Sequence, residues 1–132
     1  MKRMANDYEI QIELEAGAYH FLPYSATGKT YLARMLYGLN ERDILVITYD
    51  TIKTVGESWA IEKIQKGSYS LIFLDRFDLY GSNEMITAVE QAAKKAIVLL
   101  DSKMVNELSK SLCTRLAGIS FDNSQISVYP VR

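Results

Sequence analysis

Apolar positions change their period along the chain, and each change marks an element. Over residues 8–15 they alternate: Ile10, Ile12 and Leu14 share one face, Glu9, Gln11, Glu13 and Glu15 the other, and Gly17 follows. This predicts an outer strand that turns back into a second strand over 19–23. From Gly28 the spacing becomes helical, with Tyr31, Leu32, Met35, Leu36 and Leu39 recurring and Gly38 and Asn40 supplying a stop.

Beyond that helix, strands and helices alternate. "DILVITY" (43–49) is a nearly continuous apolar run rich in β-branched residues, the signature of a strand covered on both faces. A helix is predicted over 56–67, with Trp59, Ile61 and Ile64 free to pack, and a buried strand over 69–75. Ser82 or Asn83 caps the next predicted helix, 82–95. A strand over 96–101, a helix over 104–116 and a terminal hairpin over 119–131, turning at 122–124, complete the pattern. Strand and helix repeated with short connections imply right-handed βαβ units. The expected fold is therefore an α/β three-layer αβα sandwich on a mainly parallel sheet, with an antiparallel strand at its start and a hairpin at its end. With 132 residues and 48% of them hydrophobic, one domain over 1–132 is expected.

Charge and cysteine content narrow the chemistry. A formal net charge of -1 gives no general attraction to phosphate backbones, so nucleic acid is not an expected partner. With Cys113 and His20 as the sole cysteine and histidine, a Cys/His zinc site is disfavoured and a reducing cytoplasm is the natural setting. The first residues lack the apolar core of a signal peptide, and no apolar run reaches the roughly 20 residues of a membrane helix. His20 reads as a packed or surface side chain, and Cys113 as a small buried hydrophobe.

In a parallel sheet, ligands sit at the carboxyl ends of the strands. Two chemically loaded stretches fall there: "PYSATGKT", Pro23 to Thr30, and "LDRFD", Leu74 to Asp78. Backbone N–H groups at the start of a helix, with the helix dipole, form a cup for anions. Lys29 would reach the β- and γ-phosphates of a nucleotide, Thr30 would offer its hydroxyl to Mg²⁺, and Asp75 would hold the water shell of the metal.

These residues resemble the P-loop NTPase superfamily, whose pattern is G-x-x-x-x-G-K-[ST]. The resemblance implies nucleotide contacts by Ser25, Ala26, Thr27, Gly28, Lys29, Thr30 and Tyr31, a metal site at Thr30 and Asp75, and Mg²⁺ with ATP or GTP as cofactors. Proline stands where the first glycine is expected; it fixes φ near -65° and has no N–H, which weakens the cup. Asp75 is followed by Arg76 where many relatives carry a water-activating glutamate, leaving Asp78 as the nearest substitute. Binding with slow or absent hydrolysis is therefore expected.

The stretch from Leu71 to Ile119 resembles AAA+ ATPases of the initiator or loader type. That likeness implies Asp101 or Ser102 as a sensor group, Arg115 as an arginine finger and a protein partner or homo-oligomer. The entry, "IQIELEAGAYHFLPYSATGKT", resembles ABC-type and SMC-like ATPases. A switch or regulatory component follows from this reading; the alternative is a non-enzymatic adaptor that has lost nucleotide binding.

Overall fold

The computed structural model describes residues 1–23 and 28–131. Its strands are β1 (Lys2–Ala5), β2 (Tyr8–Ile12), β3 (Gly17–His20), β4 (Ile44–Ile47), β5 (Leu71–Leu74), β6 (Ile97–Leu100), β7 (Arg115–Asp122) and β8 (Gln125–Pro130). Its helices are α1 (Lys29–Leu39), α2 (Tyr49–Val55), α3 (Glu57–Lys66), α4 (Asn83–Ala92) and α5 (Val105–Leu112). The strands form one sheet in the order β1-β2-β8-β7-β3-β6-β5-β4. Strand β3 runs parallel to β6 and β7, β5 runs parallel to β4 and β6, and β2 runs parallel to β8. The pairs β1–β2 and β7–β8 are antiparallel.

The expected αβα sandwich is corrected by this sheet, which is mixed and eight-stranded and curls into a half-barrel carrying five short helices. Side-chain alternation shows how. In β4, β5 and β6 every residue is buried, and successive residues feed two separate cores. Leu45, Ile47, Ile72, Leu74, Val98 and Leu100 face one side, where Ala60 and Ile64 of α3, Met85, Ala88 and Val89 of α4, and Leu108 and Leu112 of α5 cover them. Ile44, Val46, Leu71, Phe73, Ile97 and Leu99 face the other side, where α1 packs with Leu32, Ala33, Met35 and Leu36. There the remaining cover is the sheet's own far half, through Ile10, Ile12, Ile126 and Val128. Curling of the sheet around one helix replaces a full third layer. Arg3 of β1 fastens the curl across α1, reaching Glu41 at 2.5 Å and Asp43 at 2.7 Å just before β4.

Local departures have local causes. The predicted pairing of 8–15 with 19–23 does not form: β2 lies between β1 and β8, and β3 between β7 and β6. The strand expected over 43–49 ends at Ile47, and helix α2 takes Tyr49 and the unassigned residues after it, because Thr48 caps it: Thr51 N–H donates to Thr48 Oγ1 at 3.2 Å, and Thr48 N–H to Thr51 Oγ1 at 3.5 Å. The helix expected over 104–116 ends at Leu112, and Cys113, exposed and at φ 51°, turns the chain so that Arg115 starts β7. The hairpin therefore begins four residues earlier than its expected start at Ile119, at Arg115. Among the described residues no helix is long and apolar enough to cross a membrane.

Candidate functional site

Two apolar strands end in aspartate at the same level. Leu74 of β5 lies opposite Leu100 of β6, so Asp75 and Asp101 emerge side by side. Backbone bonds hold them there: Asp75 N–H to the Ile47 carbonyl at 2.9 Å, Asp101 N–H to the Leu74 carbonyl at 3.0 Å, and Phe77 N–H to the Asp101 carbonyl at 2.7 Å. Tyr80, itself buried, adds its hydroxyl, which donates to the Asp75 carbonyl at 2.7 Å and approaches the Ile47 carbonyl at 3.3 Å. Burial and the surrounding carboxylates raise the Tyr80 phenol well above its ordinary pKa, so it remains a donor.

Lys29, the first residue of α1, enters this corner from β3. Its ammonium lies 3.0 Å from Asp101 Oδ1 and donates to the Leu22 carbonyl at 2.7 Å. Both members of the pair are buried, at 9% and 7% exposure, so each charge depends on the other. Asp75 is differently placed. Its Oδ1 is buried without a hydrogen-bond partner among the described residues. Burial, then the adjoining Asp101 carboxyl, push its pKa from 3.8 up to about 6, against the pull of Arg76 and Lys29. A lysine, a paired carboxylate and a carboxyl with a raised pKa thus meet at the carboxyl ends of three adjacent parallel strands. Such a corner can receive a hydrated cation or exchange the lysine's partner for an anion.

The other expected residues are distributed around it. Gly28 precedes α1 with φ 90°, a conformation that favours glycine, and the Phe121 ring occupies the space a side chain would need. Thr30 is exposed at the first turn. Tyr31 is also exposed and stands between Tyr8 and Phe121, with ring centroids 5.8 and 5.9 Å away. Ser25, Ala26 and Thr27 lie outside the described residues.

Asp78 is engaged by other partners: it accepts from Arg76 at 2.9 and 3.2 Å and from Lys103 N–H at 3.2 Å. The Arg76 bond above all holds its carboxyl below the usual carboxylate range. Ser102 is buried, with Oγ accepting from Met104 N–H at 3.0 Å. Arg115 sits toward the other end of β3, stacked on Tyr19. His20 is buried, its Nδ1 2.8 Å from Thr114 Oγ1, and burial lowers its pKa.

The chain's pattern left three participants unnamed: the Leu22 carbonyl, Tyr80 and Phe121. A shared signal did mark the acidic pair, since "LIFLD" and "AIVLLD" are both apolar runs closed by aspartate. Among the described residues no group of three or more His, Cys, Asp or Glu side chains could hold a metal by itself. No protein-family model matches the chain, and no curated protein matches it.

Proposed function

We propose that the chain binds a Mg²⁺-bound nucleoside triphosphate, ATP or GTP, at the Gly28–Thr30 end of α1, with slow or absent hydrolysis, and acts as a nucleotide-dependent switch. The observation that carries this reading is the unpartnered, buried oxygen of Asp75 beside the buried ammonium of Lys29. A buried carboxylate without a donor is costly, and the water shell of a magnesium ion would satisfy it. Thr30 stands at the same helix start, where its hydroxyl and the free amides of the first turn suit metal and phosphate. Lys29 would leave Asp101 for the phosphates as the charge around it changes.

Weak hydrolysis follows from the neighbours. Arg76 succeeds Asp75 in sequence, and Asp78 is engaged by Arg76 and Lys103 N–H, so neither supplies a free base for the attacking water.

A second reading has an observation of its own. The Lys29 ammonium is already satisfied by Asp101 and the Leu22 carbonyl, as expected of an ion pair that only closes the strand ends. On that reading the chain is an adaptor without nucleotide. Thermal denaturation with millimolar Mg·ATP or Mg·GTP separates the two. Ligand at 100 times its dissociation constant stabilises by about 2.7 kcal/mol. The switch reading expects such a shift in the wild type and its reduction in Thr30→Ala and Asp75→Asn, each measured from its own baseline. No shift with either nucleotide selects the adaptor.

A further inference from the structure

A second cation is held ready beside the start of β3, against Gly17 and Tyr19. Arg115 lies over the ring of Tyr19, 4.7 Å from its centroid, and its Nη2 donates to the Tyr19 hydroxyl at 2.8 Å. Tyr19 is 2% exposed, and its own hydroxyl donates to the Glu15 carbonyl at 3.0 Å, so the platform under the guanidinium is fixed. Gly17 completes the seat, because a Cβ there would lie 2.6 Å from Arg115 Nη2. Among the described residues no carboxylate lies within 4 Å of this guanidinium, although six other ion pairs of that length are present.

An arginine locked by stacking and one hydrogen bond keeps its remaining N–H groups in a fixed fork, the geometry that takes a carboxylate in two parallel bonds. Arg115 lines a cleft of about 520 Å³, within the size range of small-molecule sites. The other lining residues define the rest of the ligand. Leu14, Leu116, Pro130 and Val131 offer apolar walls, whereas Glu13 and Glu15 add negative charge. Two glutamates disfavour a densely anionic guest such as a nucleotide and favour one that carries a cation beside its carboxylate.

We propose that this cleft is a binding site for the α-amino-acid group: a carboxylate on Arg115, an ammonium near Glu13 and Glu15, and an apolar side chain against Leu14, Leu116, Pro130 and Val131. Its source is a free apolar amino acid or a short peptide with both ends unblocked. The site is separate from the Lys29 corner and does not depend on nucleotide binding there.

Amide chemical-shift titration of the full chain tests it, using L-leucine, L-leucyl-L-leucine, N-acetyl-L-leucine and L-leucinamide. Saturable shifts are expected at Gly17, Arg115 and Val131 with L-leucine or the dipeptide below about 10 mM, corresponding to at least 2.7 kcal/mol of binding. Which of those two binds more tightly identifies the source. Removing the bidentate cation in Arg115→Ala weakens binding at least tenfold, and Arg115→Lys recovers part of it. Replacing both Glu13 and Glu15 by glutamine weakens L-leucine but leaves N-acetyl-L-leucine unchanged. The proposal is overturned if neither L-leucine nor the dipeptide saturates, if Arg115→Ala binds as well as wild type, or if the acetylated and amidated forms bind as tightly as the free amino acid. Native-like amide spectra in Arg115→Ala and Arg115→Lys verify that lost binding is not lost folding.

Discussion

Lys29 and Arg115 stand toward opposite ends of β3, and the protein treats their charges differently. Lys29 is buried, salt-bridged to Asp101 and bonded to a backbone carbonyl. Arg115 is exposed, rests on an aromatic face and meets no carboxylate within 4 Å among the described residues. Solvation explains the contrast. A charge withdrawn from water must find a counter-charge, while one left at the surface is stabilised by water and can await a ligand. One corner is therefore part of the fold and must be opened before it can bind. The other is seated already.

The largest expected effect tests the first half of this contrast. Lys29→Met leaves Asp101 and Asp75 adjacent and without a buried cation, which should cost about 3–5 kcal/mol in urea denaturation. Lys29→Met combined with Asp101→Leu should restore most of that loss, because a buried pair replaced by apolar groups is often neutral. A single-variant cost under about 1 kcal/mol would show the pair to be as dispensable as a surface salt bridge.

Next comes Gly28, at the same end. Alanine there would be forced into φ 90° with its Cβ against the Phe121 ring, and about 1–3 kcal/mol should be lost. Adding Phe121→Ala should relieve the contact but not the backbone, leaving part of the loss in place. Complete rescue would assign the whole cost to the ring.

How much of this end could be read beforehand depends on the residue. The strand ends closed by Asp75 and Asp101 were legible, because buried parallel strands write themselves as unbroken apolar runs and a charge ends them. Their contact was not written in sequence; it needs the β5–β6 register. The curl of the sheet was hidden more deeply. Nothing in the alternation of Ile10 and Ile12 says that their partner is β8, at the other end of the chain, and β1 gave no apolar run at all. Cys113 at positive φ was equally silent, since cysteine has no preference for that region, yet this turn moves Arg115 from a helix end to a strand start. The expected helix over 104–116 ends early for that one reason. Ser25, Ala26 and Thr27 stand outside the comparison.

A pH series sharpens the contrast further. The folded pKa of Asp75, about 6, lies above its ordinary 3.8, so the folded state holds the proton more tightly than the unfolded chain. Stability from this group is present at low pH and lost as pH rises from about 4 through 6. Discounted for the part of the group that solvent screens, the change should be about 1–2 kcal/mol. Denaturation midpoints at fixed ionic strength, wild type against Asp75→Asn, read it as the difference between two slopes. Equal slopes would place the Asp75 proton outside the corner's energetics.

Arg115→Ala should have the smallest effect on the unliganded protein. Tyr19 keeps its bond to the Glu15 carbonyl when the guanidinium is removed, so no buried polar group is orphaned. What disappears is one exposed cation–π contact and its hydrogen bond, about 0.5–1 kcal/mol at such a site. Added salt should reduce that figure little, because no ion pair is broken. Thermal melts of the variant against Lys29→Met give the direct measure of the two ends. Comparable losses would make Arg115 a structural prop, and the distinction between a charge enclosed by the fold and one held ready outside it would fall.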